Sequence, residues 1–418
     1  MNRILCRILT SATAASMSSF GLLMSRSCSF LILFLFTSSS HAGGWTSAGN
    51  LSIPRPFAIA ARLANGGVLV AGGGFPPSAG AEIYKPESNT WHSASPMIGA
   101  RELATATLLT NGAVLVAGGH NNSVIANAFP SAQIYDPLSD AWTVVGDMHS
   151  PRWSHTATRL LDGRVLVTGG VADELGYLSE AEIYDPLTSS WTPVPSMSKS
   201  RASHSATLLP GGKVLVAGGT NSSAIGLADA EIYDPAANTW ISASAMTVNR
   251  AQHSATLLPN GKVLIVGGGN DVALNSAEIY DPTTNSWTST NPMRDERQFH
   301  SATLLKDGTV LVVGGVGDTF GSFITYWSTS ELYHLSTGTW TDAGKIATAN
   351  PFPIGTLLES GKVLLIGYTT TTNVELYTPA YSLTESPVAS VPAIGAVELV
   401  TLAAVIAGIS CLLRRREK

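Results

Sequence analysis

The stretch Arg201-Ala-Ser-His-Ser-Ala-Thr-Leu-Leu209, Pro210-Gly-Gly212, Lys213-Val-Leu-Val-Ala217, Gly218-Gly219, then Ala230-Glu-Ile-Tyr-Asp-Pro235 and Thr239-Trp240, is one unit of a pattern that the chain repeats. It holds four short strand-forming runs. Turn chemistry separates them at Pro210-Gly-Gly212 and at Ala236-Ala-Asn238, the last run ends near Met246, and Arg250 opens the next unit. Val214-Leu-Val216 is apolar at every position, as a small sheet requires when neighbours pack on both of its faces. A unit of this kind is not stable alone.

Outward from this unit, Trp45, Trp91, Trp142, Trp191, Trp240, Trp287 and Trp340 recur every 46 to 53 residues and mark the structural repeat. A period near 50 indicates propeller blades. Paired glycines, from Gly72-Gly73 to Gly314-Gly315, fall where a strand must stop abruptly and a backbone approaches closely. No helix pattern follows any of them, which argues against a phosphate cradle.

The Gly-Gly doublet, the spaced Tyr and Trp, and the Arg that opens each unit resemble kelch repeats, including those of galactose-oxidase-like propellers. The resemblance spans about residues 45–379 and implies an all-β, seven-bladed kelch-type β-propeller. Six units are complete. The seventh, Pro353 to Pro379, has no tryptophan, whereas Trp45-Thr-Ser-Ala-Gly49 precedes the first unit without strands of its own. The N-terminal segment is therefore expected to supply the fourth strand of the last blade, which closes the ring and removes its open edges.

The two ends read differently from the 43–379 body. Residues 1–42 end in the apolar run Phe30 to Phe36 and a small-residue site at Ser40 and Ala42, the pattern of a signal peptide with a mature start near Gly43. Met24 offers a second, shorter leader. Residues 380–393 read as a linker, and Ile394 to Leu413 is an apolar run of about 20 residues, enough to cross a hydrocarbon core of about 30 Å as a transmembrane helix. The basic tail 414–418 follows, and the positive-inside rule keeps it in the cytoplasm, leaving the propeller outside. This C-terminal segment resembles a PEP-CTERM-type sorting signal, without the Pro-Glu-Pro core and with Glu398 inside the span. The expected location is the cell envelope, membrane-anchored or sorted through that segment.

Cys6, Cys28 and Cys411 all lie in the end segments, so disulfides do not hold the body together. A galactose-oxidase-like cofactor, a tyrosine cross-linked to cysteine, cannot form there. Setting aside the three leader arginines, the four basic residues of the tail, Glu398 and Glu417 leaves residues 43–390 at −10, which makes nucleic acid an unexpected partner.

In a four-stranded meander the loops between strands two and three and the blade-to-blade crossovers emerge on one face, and only tight turns on the other. Variable loops on a regular scaffold usually carry function. The longest, Val316 to Ser330, holds Phe320, Phe323, Tyr326 and Trp327, which can stack on sugars or anchor a protein. With His120 and Asn121 these are the candidate binding residues.

His155, His204, His253 and His300 follow the opening Arg by three residues in four consecutive blades. They form a candidate channel-mouth ring, and histidine is a common transition-metal ligand. Their recurrence within the repeat points instead to a hydrogen-bonding role inside each blade. The repeated Glu82, Glu182, Glu231, Glu278, Glu331 and Glu375, with Gln133 as the exception, are expected to pair with the opening arginines from Arg55 to Arg297. Asn270-Asp271 and Asp173-Glu174 lack EF-hand spacing for calcium.

The sequence assigns no catalytic residue, metal ligand set or cofactor. It favours a non-enzymatic, monomeric binding module whose partner is a protein or a glycan. The alternative is a carbohydrate-active kelch enzyme, a sugar mutarotase or a galactose-oxidase-like oxidase.

Overall fold

The computed structural model describes residues 43–121, 128–173, 176–223, 226–320, 323–367 and 371–380. The leader, most of the linker, the 394–413 run and the basic tail lie outside them. Among the described residues no helix is long and apolar enough to cross a membrane.

Seven four-stranded antiparallel sheets are present. In blade 4, Ser205–Leu208 pairs with Val214–Ala217, which pairs with Ala230–Asp234, which pairs with Thr239–Ala243. The innermost strands of successive blades touch, and that of blade 7, Ile354–Leu357, also touches that of blade 1, Ile59–Arg62. The sheets thus form a closed seven-bladed propeller. The second strands are buried throughout, Val214 and Val216 at 0%, because each blade is covered on both sides.

Blade 7 is composite. Gly44–Asn50 lies antiparallel on Asn373–Thr378 with Trp45 opposite Tyr377, in the sheet position that Thr239–Ala243 holds in blade 4. The expected closure by the N-terminal segment is what the register shows.

Three repeated contacts link the blades. The first is aromatic: Tyr233 sits opposite Trp240 with ring centroids 5.0 Å apart, and the indole N–H reaches back to the carbonyl of Pro195 at the end of the preceding blade, at 2.7 Å. The other repeat tryptophans do the same. The indole N–H of Trp142 donates to the Ser95 carbonyl, that of Trp191 to Gly146, that of Trp287 to Ser244 and that of Trp340 to Asn291, each at 2.7 Å. Trp91 bonds the Ala48 carbonyl at 2.9 Å, and Trp45, on the composite blade, bonds the Ser330 hydroxyl of blade 6 at 3.0 Å. The period of the tryptophans is thus the period of the blade-to-blade joints. Burial differs among them, since Trp191 is buried at 7% exposure whereas the rings of Trp142, Trp287 and Trp340 are half-buried at the rim.

The second contact explains the glycine doublet. Gly218 has φ of 65°, and a Cβ there would lie 2.5 Å from the Arg250 carbonyl oxygen and 2.7 Å from the His253 ring, so the next blade seats directly on this backbone.

The third contact is ionic. Arg201, 0% exposed, donates through Nη2 to Glu231 at 3.0 Å and through Nη1 to the Gly218 carbonyl at 2.7 Å. Glu231 also accepts the backbone N–H of Ser198 on the crossover from blade 3, at 2.9 Å. The same Arg–Glu pair, 2.8 to 3.1 Å long, is present in blades 1, 3, 5 and 6. Burial of both charges is tolerable because every pair is also held by backbone groups.

Two blades depart from this pairing. In blade 7 Asn350 takes the place of the arginine, and Glu375 accepts backbone N–H groups, that of Ala347 at 3.0 Å among them. In blade 2, where Gln133 stands in place of the glutamate, Arg101 keeps the bonds to the carbonyls of Gly118 and Ser131, both at 3.1 Å, and its Nη2 donates to the Ser131 hydroxyl at 3.1 Å. Burial lowers the Arg101 pKa to about 10.

Candidate functional site

The four repeated histidines lie between blades rather than around an open mouth. His155 Nε2 meets Thr105 Oγ1 at 3.0 Å, His253 Nε2 meets Ser205 Oγ at 2.9 Å, and His300 Nε2 meets Ser254 Oγ at 2.8 Å. His204 Nε2 lies 3.0 Å from both Thr156 Oγ1 and Thr168 Oγ1. Each hydroxyl belongs to the preceding blade, which corrects the expected bond within one blade. The reason is the glycine doublet: its missing side chain leaves a slot that the next blade's imidazole fills. Burial first, and the nearby arginine second, lower the pKa values of His155, His253 and His300 to about 3, and that of His204 well below the ordinary range. These imidazoles are therefore neutral at physiological pH.

The long loop of blade 6 folds into a hairpin, Val316–Phe320 against Phe323–Tyr326. Trp327 at its base turns inward: its indole N–H donates to the Glu296 carbonyl at 2.6 Å, and its ring lies 6.0 Å from the Arg297 guanidinium carbon. Tyr326 is 49% exposed and Ile324 51%. The backbones of Phe320 and Phe323 face each other near the tip, and their side chains lie outside what is described.

His120 is buried, and its Nδ1 lies 3.6 Å from Glu102 Oε1 with its ring edge-on to Trp153 at 5.2 Å. Burial raises the Glu102 pKa to about 7. Asn121 is exposed beside this cluster. Among the described residues no group of three or more His, Cys, Asp or Glu could hold a metal ion.

A ring of residues two places after the opening Arg escaped sequence reasoning. Phe57, Leu103, Ser154, Ser203, Gln252 and Phe299 all take a positive φ, 50° to 58°. Bulky residues rarely adopt this conformation, which costs of order 1–3 kcal/mol each. The gain is a chain of backbone bonds around the axis: Ser203 N–H to Ser154 O at 3.1 Å, Gln252 N–H to Ser203 O at 3.0 Å, and Phe299 N–H to Gln252 O at 2.9 Å.

These residues ring the axial mouth on the loop face. One arc is aromatic, with Phe352 at 4.9 Å from Phe57 and 4.7 Å from Phe299, and with the exposed Phe75 edge-on to Phe57 at 6.0 Å. The opposite arc, Ser154, Ser203 and Gln252, is polar. Their fixed offset from the arginine was the available signal, but side chains that differ from blade to blade carry no period to notice.

The repeated strands, the buried Arg–Glu pairs and the glycine seats coincide with a sequence family. The profile of the KLHDC2/KLHL20/DRC7 Kelch-repeats domain matches residues 103–315, half of the chain. The chain belongs to this kelch-repeat family. Comparison with curated proteins finds no sequence match for this kelch chain. Among solved structures, the kelch propeller is similar to a fungal alcohol oxidase described as having catalytic diversity among the AA5 family, in complex with copper. That likeness has a TM-score of 0.66 at 17% identity and covers 81% of this chain and 76% of that one. It is also similar to the structure of YjhT, with a TM-score of 0.56 at 15% identity, over 70% of this chain and 98% of that one. At such identities the likeness shows the fold alone.

Proposed function

We propose that this kelch propeller is a non-enzymatic binding module of the cell envelope, exported by its leader, held by its C-terminal segment, and presenting its loop face to a protein or glycan partner. The carrying observation is that the repeated chemistry is consumed by the scaffold, whereas the loop face offers apolar surface to water at Tyr326, Ile324 and Phe75. The buried arginines bond carboxylates and carbonyls, the repeated histidines bond hydroxyls, and the tryptophan N–H groups bond the preceding blade. Aromatic surface next to polar backbone suits both sugar stacking and protein anchoring. A glycan array and an affinity pull-down with the exported domain test the reading. Loss of the captured partner when residues 316–330 are replaced by a short turn supports it, and unchanged capture removes the hairpin from the site.

A further inference from the structure

The face opposite the loops has features that the repeat does not require. Three leucines stand at the tips of its tight turns: Leu138 is 96% exposed, Leu187 93% and Leu161 72%. No other large hydrophobic residue among those described exceeds the 62% of Phe75. Leu138 and Leu187 occupy the same place in adjacent blades, after Asp136-Pro137 and Asp185-Pro186, where blades 1, 4 and 5 have Glu87, Ala236 and Thr283. The turns beneath them are firmly built, since the N–H of Leu138 donates to Asp136 Oδ1 at 2.9 Å and that of Leu187 to Asp185 Oδ1 at 2.8 Å. Leu161 tips the inner turn of blade 3 and leans toward Gly212 of blade 4. Single exposed apolar residues are ordinary on any surface, but these three stand at turn apices of two neighbouring blades and on the same face.

Topology gives this face a second property. The strand Asn373–Thr378 runs from the loop face to the tight-turn face, so the described chain leaves the propeller there at Ala380. Gly44 pairs with Thr378, which puts the start of the body at the same place. The residues that follow comprise the short linker and the Ile394 to Leu413 run with its basic end. A chain the length of that linker spans at most about 50 Å. A bilayer entered by the apolar run therefore stays within reach of the tight-turn face, at a high effective concentration for any weak contact.

Resting on the proposed membrane tail, we infer that the tight-turn face is a lipid-contacting surface, with Leu138, Leu187 and Leu161 dipping into the headgroup layer and the loop face directed away from the bilayer. Apolar side chains on turn tips partition into that layer without unfolding the backbone that carries them. Asp136 and Asp185 flank two of the tips while Arg164 and Lys213 lie beside Leu161, so the turns carry both signs and zwitterionic headgroups suit them.

The test uses the full chain with Cys6→Ser, Cys28→Ser and Cys411→Ser, so that the introduced cysteine is the one thiol, reconstituted into phosphatidylcholine vesicles containing a spin-labelled lipid that quenches near the headgroups. A bimane is placed on Leu138→Cys, on Leu187→Cys or on Ile324→Cys. The expected result is at least twofold stronger quenching at the two leucine positions than at the hairpin position. Flotation with the vesicles but equal quenching at all three positions overturns the lipid-facing surface and leaves the anchor standing. Failure to float overturns both. Concentration-dependent dimerisation in detergent that Leu187→Ser abolishes would assign the face to a second copy of the chain and overturn the lipid reading.

Discussion

The indole N–H of Trp91 in blade 1 donates to the carbonyl of Ala48 at 2.9 Å, and Ala48 lies on the strand that the N-terminal segment lends to blade 7. One strand therefore completes the last blade and receives the first blade's tryptophan. Removing it opens both contacts at once.

Deletion of residues 43–52 should lower the melting temperature by about 10 °C or more. About four strand hydrogen bonds at roughly 1 kcal/mol each are lost, together with the packing of Trp45, whose ring lies 5.2 Å from that of Tyr377. Calorimetry checks this, and an unchanged melt would contradict closure by the first strand.

Blade 2 supplies a natural experiment on the buried ion pairs. Glu278→Gln leaves the 0% exposed Arg250 without its counter-charge and should cost about 3–5 kcal/mol. Gln133→Glu runs the other way, giving Arg101 the carboxylate that its counterparts have, and should stabilise by about 1 kcal/mol. Paired urea titrations measure both. A destabilising Gln133→Glu would show that the Phe129 ring, 5.2 Å from the Arg101 guanidinium carbon, already provides the better partner.

The interblade histidines predict acid sensitivity. With folded pKa values of about 3 against an ordinary 6.5, His155, His253 and His300 bind protons more readily in the unfolded chain. Their contribution is whole above pH 6.5 and shrinks as pH falls toward 3, by about 1.4 kcal/mol per pH unit for each fully titrating group. His253→Gln should flatten the loss of stability between about pH 6 and 4, as denaturation at several pH values would show. An equal slope in the variant would mean that this imidazole is not shielded.

Glu102 has the opposite sign. Its folded pKa is raised to about 7 from an ordinary 4.5, so the stability held below pH 4.5 is lost as pH rises through 7. Glu102→Gln, which keeps the shape without the charge, should stabilise the protein at about pH 8 by about 2 kcal/mol and change little near the ordinary carboxyl pKa. If both pH values give the same difference, the carboxyl is not the group that titrates.

The period, the number of blades, the split last blade and the Arg–Glu pairing could all be read from the chain. Each depends on residues that recur at a fixed offset, and a buried blade interface demands the same chemistry every time it is built. The spacing of Trp142, Trp191, Trp287 and Trp340 marked the blades, but only the packed ring shows that each indole bonds the blade before its own. The direction of the histidine bonds could not be read either, because a repeat is silent on whether an imidazole bonds its own blade or the preceding one. That depended on the empty space over Gly218 and its equivalents, which exists only when two blades are packed. The aromatic and polar arcs of the axial mouth come from the places where the units differ. Likewise, Trp327 belongs to the run of aromatics that marks the hairpin in sequence, yet it turns inward over Arg297 and leaves Tyr326 at the surface. Local pattern sets strands and turns because those energies are short-ranged, whereas which side chains converge on the axis or face water is decided by contacts between residues about 50 apart, once the ring has closed.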